Sequence, residues 1–591
     1  MTSRWEQRFR APEISFPDWS REAPGRLVYG STESGIWQAH TFDLASGARR
    51  QVTDHPVGVV ACHASEDGLS VVWWQDETGG ESGRWLSQPF DGGATNSLVD
   101  GVPTGWSEGL AQAAGVIAVG ISDDGGFAVY LSDGGGAARE LCRSLEYASV
   151  AGLSADGMLL ALEHSEHGDL MHPGVRVLDS RTGGIVAEQL DEGKSLEAAR
   201  WAPVTGDQRL AIVHERRGED AVAVWDLGTG AWQEVASRLE GAVRPLDWWP
   251  DASALLLRHE HEARHRLYRC ELASGRLTEI THPQGHVPAA RVRPDGAVWL
   301  LHSIGSTAPR ILDESRFEVI QTEGERAPDG RPYVSFHFEN PRGQAVHGFY
   351  VTPEGAGPWP LLVRPHGGPT WLDEDRWNPE VQSYVDAGLA VAMINYRGST
   401  GYGAEWRDAL VGDIGGPELE DLNAGLDHLV SIGVADAARA AVGGWSWGGY
   451  LTLMELGRHP DLWRCGMAGI PVGDLVLNYE DESPILKAYD RALLGGEPSH
   501  VPQLVRERNP ITYADRVRAP VLFVIGENDS RCPLRQAMAY VDRLRARSHP
   551  HELYLFPTGH GSHDVDENVH QQRVILEFLA RHLPGVRVPA T

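Results

Sequence analysis

The sequence predicts a two-part molecule, in which a seven-bladed β-propeller is followed by a mostly parallel α/β domain. Three observations predict it. A turn motif recurs seven times in the first 320 residues, the recurrence stops at a polar Pro/Gly-rich linker at 322–332, and short apolar strands then alternate with helical runs. A hydrophobic fraction of 41% with 20 Trp supplies enough apolar side chains for a core in each part.

The repeat is a strand-like run that ends in an acidic residue and is followed by a Gly/Ser-rich turn. Asp and Ser hydrogen-bond the local backbone there, and Gly adopts the positive φ of a tight hairpin. The acidic residues, spaced 42 to 48 residues apart, are Asp43, Asp91, Asp133, Asp179, Asp226, Glu271 and Asp313. Four short strands about every 45 residues are typical of a propeller blade. The alternative is a β-sandwich with regular turns, which rarely keeps one period seven times.

One metal-like pattern falls inside the repeats. His261-Glu262-Ala-Arg-His265 matches H-E-x-x-H, which binds zinc when both His lie on one face of a helix. Here the repeat predicts two strands joined by a hairpin rather than a helix, so we interpret the segment as a surface loop and not as a zinc site. We expect no metal site and no cofactor from the sequence.

The second part begins with a predicted antiparallel hairpin at 333–351. Strands are then predicted at 361–363, 390–394, 440–442, 521–525 and 553–556, and helices at 418–430, 449–458, 533–547 and 564–582. Alternating strands and helices favour a parallel sheet covered on both faces.

Gly444-Trp-Ser446-Trp-Gly448 lies between a predicted strand and a predicted helix. This is the context of a nucleophile elbow, in which a strained turn between small residues presents the Ser hydroxyl at the top of an α/β-hydrolase sheet. The alternative is a plain glycine-rich turn between strand and helix. The elbow makes an α/β-hydrolase domain the expected fold of this part, with Ser446 as nucleophile.

A Ser nucleophile needs a base, and the base needs an acid to orient it. In this fold the acid and then the His follow the Ser in the chain. Asp529 follows the strand at 521–525 and His560 follows the strand at 553–556, where loops converge on the elbow. Glu527 and His563 are the competing candidates, and we favour Asp529 and His560.

Two backbone N–H groups are expected to bind the oxyanion, one from Trp447 after the nucleophile and one from the earlier loop at 365–369. The glycines of that loop would let the backbone approach a substrate oxygen. The alternative is a glycine turn without that role.

Together these motifs resemble the prolyl oligopeptidase family of serine peptidases, closest to its acylaminoacyl peptidase and aminopeptidase branch. The segments that carry the resemblance are His366-Gly-Gly-Pro369, Asn395-Tyr-Arg-Gly-Ser-Thr-Gly-Tyr-Gly403, Gly444-Trp-Ser-Trp-Gly-Gly-Tyr450, Asn528-Asp529-Ser-Arg and Gly559-His560. The resemblance implies the same triad of Ser446, Asp529 and His560. It also implies that the N–H groups of Gly368 and Trp447 bind the oxyanion.

The repeat and the linker predict a propeller at 21–321 and a catalytic domain at 322–591, and the resemblance further implies that residues 1–20 pack back on the hydrolase domain. We expect a serine exopeptidase that releases N-terminal residues from short peptides or amino-acid amides, with the propeller limiting substrate size. Two alternatives stay open, an acylaminoacyl peptidase acting on N-blocked peptides and an esterase or small-amide hydrolase.

Two parts of the sequence are candidates for binding the ends of the substrate. An acidic stretch after the elbow helix contains Glu480 and Glu482, whose carboxylates could bind a free α-ammonium group. The alternative is a solvated start of a helix. Arg397 could grip a substrate carbonyl or carboxylate, or instead form a structural ion pair with Asp413 or Glu418.

Composition narrows the partners and the compartment. A net charge of −30 argues against nucleic acid. Five widely spaced Cys, without a C-x-x-C pair, suit a reducing cytoplasm. The start lacks a signal-peptide core and no apolar run is long enough for a membrane span. A homo-oligomer is compatible with the sequence.

Overall fold

The computed structural model describes residues 3–134 and 136–588. Within these ranges, seven consecutive four-stranded antiparallel units form the first part, and an eight-stranded, mostly parallel sheet forms the second. The predicted fold class is confirmed. Gly135 of the third predicted turn, and Met1 and Thr2 of the N-terminal segment, lie outside the described residues.

Each blade of the propeller is built from four successive strands. The strands of the first four blades are β1 (Asp18–Trp19), β2 (Arg26–Ser31), β3 (Gln38–Asp43), β4 (Arg49–Gln51), β5 (Cys62–Ala64), β6 (Ser70–Asp76), β7 (Ser82–Pro89), β8 (Asn96–Ser97), β9 (Gly105–Ala113), β10 (Val116–Asp123), β11 (Gly126–Asp133), β12 (Arg139–Ser144), β13 (Ala148–Leu153), β14 (Leu159–Asp169), β15 (His172–Asp179) and β16 (Ile185–Gln189). The strands of the last three blades are β17 (Leu196–Trp201), β18 (Arg209–His214), β19 (Ala221–Asp226), β20 (Ala231–Val235), β21 (Ala242–Trp248), β22 (Ala254–His261), β23 (Arg264–Glu271), β24 (Leu277–Ile280), β25 (His286–Val292), β26 (Val298–Ile304), β27 (Thr307–Asp313) and β28 (Glu318–Ile320).

The recurring acidic residue has one structural role, at the end of the third strand of its blade. Asp43 ends β3, for example, and its Oδ1 accepts hydrogen bonds of 2.9 Å from the N–H groups of Ala45 and Ser46. Asp91 departs slightly, because β7 stops at Pro89. The repeat in the sequence is therefore the turn that connects the third and fourth strands.

Two junctions between blades could not be expected from the repeat. Blades two and three form one continuous sheet, because β7 pairs with β9 through Ser82 opposite Trp106 and Gly83 opposite Gly105. The ring closes between the last blade and the first through side chains. Arg291 bonds Asp18, and its guanidinium lies 4.3 Å above the Trp19 ring.

The sheet of the second part has the strand order β29-β30-β32-β31-β33-β34-β35-β36, parallel from β32 to β36. Its strands are β29 (Val334–Glu339), β30 (Ala345–Val351), β31 (Trp359–Val363), β32 (Ala390–Ile394), β33 (Ala435–Trp445), β34 (Gly466–Gly469), β35 (Val521–Gly526) and β36 (His551–Phe556). Every residue of β32 and β35 is buried, as expected for central strands covered by helices on both faces.

The helices of the described residues are α1 (Arg4–Arg10), α2 (Pro379–Asp386), α3 (Ala404–Asp408), α4 (Pro417–Ser431), α5 (Trp447–Arg458), α6 (Leu475–Asp481), α7 (Pro484–Leu494), α8 (Pro502–Arg508), a 3-10 helix (Pro510–Arg516), α9 (Leu534–Ala546) and α10 (Val565–His582). Among the described residues, none of these helices combines the length and apolarity needed to cross a membrane.

The N-terminal helix lies against the second part. Arg8 donates from Nε to Asp386 at 2.8 Å, Glu6 pairs with Arg573, and the Trp5 side chain is buried. The first blade begins at Asp18 and the last ends at Ile320, whereas the sequence placed these limits at 21 and 321. The division into three segments stays a prediction.

Candidate active site

Ser446 lies on a sharp turn between β33 and α5. Its φ of 57° and ψ of −119° are strained for a residue with a side chain. The flanking glycines are required sterically, since a Cβ on Gly444 would lie 2.4 Å from the Pro365 carbonyl oxygen and one on Gly448 would lie 2.2 Å from it. The predicted strand–turn–helix context of Ser446 is present.

His560 and Asp529 meet at the carboxyl edge of the sheet. The Nδ1 atom of His560 lies 2.8 Å from one Asp529 carboxylate oxygen and 3.0 Å from the other. Because β35 and β36 are parallel neighbours, the loops that follow them emerge side by side. His563, the alternative base, instead accepts a hydrogen bond at its carbonyl from the N–H of Trp37 in the propeller, at 3.2 Å.

Several contacts keep the Asp529 carboxyl ionised. Burial raises its pKa, but the charge and hydrogen bond of His560 lower it, as do hydrogen bonds from the backbone N–H groups of Cys532 and Arg531. The net pKa lies below its usual range. Both N–H groups are 2.8 Å from Oδ1, so the carboxylate is held in one orientation while it bonds His560 Nδ1.

Sequence reasoning missed Cys532, which contacts Ser446 and lies near the His–Asp pair. Its thiol interacts with the Ser446 hydroxyl and lies within 4.8 Å of the nearest side-chain donor atoms of Asp529 and His560. Burial raises the pKa of this thiol well above its usual range, so it stays protonated. The available signal was its position three residues after Asp529 in the same loop.

The two candidate oxyanion donors lie beside Ser446. A Cβ on Gly367 would lie 3.5 Å from the Ser446 Cβ, so this loop passes directly beside Ser446. Gly368 follows with a φ of 119°, which favours glycine. Trp447 is the first residue of α5, where a backbone N–H has no partner within the helix.

The predicted substrate-binding residues have different environments. Glu480 is exposed, and its carboxylate accepts a 2.6 Å hydrogen bond from Arg535. Glu482 is buried, and one of its oxygens accepts a 2.6 Å bond from Asn478, whereas the other has no partner among the described residues. Its neighbour Ser483 donates to the carbonyl of Ser530 in the Asp529 loop. Glu482 therefore lies next to a contact with the loop that carries Asp529.

Arg397 does not face an open surface. Its side chain is buried, and its guanidinium bonds Asp421 and Glu420 at 2.9 and 2.8 Å. The ion-pair alternative describes it better than the substrate role, although the sequence named Asp413 and Glu418 as its partners. Both actual partners lie on α4.

A chamber of about 1030 Å³ lies between the propeller and the hydrolase domain. Trp371 and Tyr489 line it on the hydrolase side, and a Cβ on Gly368 would lie 3.0 Å from Trp371, so the chamber borders the 365–369 loop. Its wall has more carboxylates than guanidinium groups: Glu13, Glu163, Glu197, Glu215, Asp220, Glu260 and Glu374 against Arg244, Arg258, Arg376 and Arg407.

The propeller also contacts the loops that carry Asp529 and His560. Arg531 donates to both carboxylate oxygens of Glu81, at 2.6 and 2.8 Å. The carbonyl of Gly79 lies so close to Gly559 that a Cβ there would sit 1.8 Å from it. The second blade therefore packs on the residues that precede His560 and follow Asp529.

Comparison with known proteins agrees with this geometry. A profile of the prolyl oligopeptidase family matches residues 376–585. The acylamino-acid-releasing enzyme of Rattus norvegicus is 29% identical over 230 residues, 38% of this chain and 31% of that protein. Dipeptidyl aminopeptidase BIII of Pseudoxanthomonas mexicana is 31% identical over 237 residues, 39% and 34% of the two chains. The chain thus aligns with about a third of the length of these relatives.

A solved structure resembles the chain over nearly its whole length. A puromycin-hydrolyzing peptidase of Mycobacterium tuberculosis superposes with a TM-score of 0.83 at 21% identity, covering 99% of this chain and 96% of that one. At this identity the likeness concerns the fold, and it includes both the propeller and the α/β part.

Proposed function

This chain carries a domain of the prolyl oligopeptidase family, and on that premise we propose that it is a serine exopeptidase that releases N-terminal residues from short peptides or amino-acid amides. The observation that carries the proposal is the pairing of His560 with the buried Asp529, in a loop whose Cys532 thiol interacts with the hydroxyl of the strained Ser446. Cys532, the other nucleophilic side chain in this loop cluster, is buried and stays protonated, whereas Ser446 occupies the strained turn at the start of α5, so we assign Ser446 as the nucleophile.

In the proposed reaction the Ser446 hydroxyl attacks the scissile carbonyl while His560 Nε2 accepts its proton. Asp529 holds the Nδ1 proton and stabilises the imidazolium. The N–H groups of Gly368 and Trp447 bind the negative oxygen of the tetrahedral intermediate. His560 then protonates the leaving amine, and water repeats the sequence on the acyl-enzyme to release the residue.

Glu482 supports a preference for a free N-terminus. When Glu482 is ionised, its buried oxygen without a hydrogen-bond partner among the described residues is costly, and a substrate ammonium would satisfy it by a charge-assisted hydrogen bond. Asp490, also buried, adds negative charge that acts on Glu482, whereas the positive charge of Lys487 acts on it in the opposite sense. An N-acylated substrate would bring no positive charge to this place.

The first experiment compares Ser446→Ala with the wild type on an amino-acid p-nitroanilide. We expect kcat to fall by about 10⁵-fold or more, since the attacking oxygen is removed. Circular dichroism checks that the variant is folded. Turnover within about tenfold of the wild type would refute the Ser446 mechanism.

The second experiment tests the substrate class with matched free, N-acetylated and dipeptidyl p-nitroanilides, together with puromycin. Glu482→Gln should raise KM for the free-amine substrate by about 10- to 100-fold, the value of one charge-assisted hydrogen bond, and leave the acetylated one unchanged. Glu480→Gln, two residues away and exposed, is the matched control. It should leave KM unchanged for both the free-amine and the acetylated substrate.

The acylaminoacyl alternative is favoured by the relatives named acylamino-acid-releasing enzymes. It predicts the opposite ranking, with the acetylated substrate cleaved faster than the free one in the wild type and in both Glu variants.

A further inference from the structure

A cluster of His and Glu side chains lies where the sixth and seventh blades meet the hydrolase domain. His265 on β23 and His286 on β25 both approach one oxygen of Glu374, at 3.1 and 3.0 Å. Glu374 belongs to the segment that follows the 365–369 loop. Glu260 on β22 lies 3.3 Å from His265 Nε2. His265, Glu260 and Glu374 are at most 7% exposed.

We propose that this cluster is a binding site for a divalent transition metal, with Zn²⁺ the ion that its ligand types suit best. The ligands are His265 Nε2, His286 Nδ1 and a Glu374 oxygen, which all lie within 4.8 Å of one another. Two imidazoles with one carboxylate are a frequent zinc ligand set. Glu260 is the group closest to a fourth position. This differs from our expectation of no metal.

The spacing of the donor atoms suits tetrahedral zinc. Zinc bonds to imidazole nitrogen and carboxylate oxygen are about 2.0–2.2 Å long, which places donor atoms of a tetrahedron about 3.3–3.5 Å apart. The nitrogen–oxygen separations here are 3.0, 3.1 and 3.3 Å. Small rotations of the side chains would admit the ion.

The surroundings of His265 allow it to bind as a neutral imidazole. Its Nδ1 atom lies 3.0 Å from the carbonyl oxygen of Val287 and 2.9 Å from its backbone nitrogen. Nδ1 accepts from the Val287 N–H when Nε2 carries the proton, and it can donate to the Val287 carbonyl instead, which leaves the Nε2 lone pair for a metal. A hydrogen bond from the far nitrogen to a backbone carbonyl is the usual support of a zinc-bound His.

Charge also favours a cation here. Glu260 has a second oxygen, Oε1, which is buried and has no hydrogen-bond partner among the described residues. Two carboxylates facing two neutral imidazoles leave a charge that a dication would balance. Arg258, 4.0 Å from Glu260, and Arg376, whose charge acts on His286, are opposing cations. The competing explanation is that protons alone hold the cluster, with His265 charged between two carboxylates.

This site is distinct from the H-E-x-x-H pattern, although His265 is its last residue. β22 and β23 form a hairpin, in which His261 is exposed and pairs with Arg264 at the turn. His261 is therefore not a ligand. The proposed metal would instead tie two blades to the segment that continues from the oxyanion loop, and its role would be structural.

The experiment measures zinc binding by the full chain after treatment with EDTA. Isothermal titration with ZnCl₂ should show one tight site per chain, and bound zinc should persist through dialysis as counted by atomic emission. His286→Gln and Glu374→Gln should each weaken this site at least about tenfold, consistent with loss of a ligand. His261→Gln is the matched control and should bind as the wild type does.

Co²⁺ provides a second readout, since tetrahedral substitution gives strong visible absorption that a surface-bound ion lacks. Circular dichroism establishes which variants fold, and either ligand variant alone suffices for the comparison. Absence of a tight site in the wild type would overturn the proposal in favour of the proton-only cluster. Equal binding by all four proteins, or loss in His261→Gln, would overturn it as well.

Discussion

Glu482 and Asp490 are buried carboxyl groups whose charges oppose each other. Burial raises the pKa of Asp490 to about 7, and burial together with Asp490 raises the pKa of Glu482. The two groups titrate as a pair. Below about pH 7 the pair therefore carries less negative charge than two ordinary carboxylates, and above about pH 7 it becomes a stronger partner for an ammonium group.

From this we predict a pH dependence of KM that is specific to free-amine substrates. KM should fall as pH rises through about 7, and rise again above about 8, where an α-ammonium loses its proton. The acetylated substrate lacks the charge and should show no fall in KM near pH ~7. Steady-state kinetics from about pH 5.5 to 9 measure both profiles.

Asp490→Asn provides the control for this pH profile. It removes one titrating group, so the fall in KM should move to lower pH. If the free and acetylated substrates show the same dependence of KM on pH, the ammonium role of the pair is wrong.

At the residue scale, the sequence predicted those positions that local backbone chemistry dictates. Ser446, Asp529 and His560 each follow a strand that could be recognised, so their convergence could be expected; their catalytic roles stay predictions. Cys532 and Glu482 could not be assigned in this way, because their environment comes from α6 and α7 packing on the Asp529 loop.

At the scale of elements, the elbow depends on close contact between α5 and the loop before Pro369. Gly448→Ala would place a methyl group 2.2 Å from the Pro365 carbonyl oxygen. We expect a loss of about 1–3 kcal/mol in the free energy of unfolding, as for overpacked sites, together with lower kcat because Trp447 and Ser446 shift.

Gly25→Ala is the matched control for that variant. A Cβ on Gly25 would meet no atom within 4 Å, and the φ of this residue is not positive, so its stability should change by less than about 0.5 kcal/mol. Chemical denaturation of both variants gives the comparison. Equal stability of the two would contradict a tightly packed elbow.

The helices and strands differ in how readily they can be predicted from the sequence. The long apolar strands β32 and β35 and the amphipathic helices α4 and α9 could be predicted from periodicity. The short strand β34, whose sequence is Gly-Met-Ala-Gly, could not. It is extended because it lies between β33 and β35 in a buried sheet, which is a property of the tertiary structure.

At the scale of the whole molecule, an ion-pair network joins the propeller to the hydrolase domain. His172, at the hairpin of the fourth blade, lies 3.0 Å from Asp169 and 3.2 Å from Asp408 on α3. Hydrogen bonds to these two carboxylates raise the pKa of His172 to about 9, despite its burial. Arg407 extends the network to Glu215 of the fifth blade.

Because the pKa of His172 is higher in the folded protein than in the unfolded chain, the stabilisation is complete below about pH 6.5 and is lost as pH rises through about 9. His172→Gln should therefore lower the thermal midpoint at about pH 6, corresponding to about 1–3 kcal/mol after solvent screening, and have little effect at about pH 10. His167→Gln, an exposed His on the same hairpin, should show a small difference at both values. A gap between wild type and His172→Gln that persists or widens at the higher pH would show that the charged pair with Asp408 does not hold the two domains together.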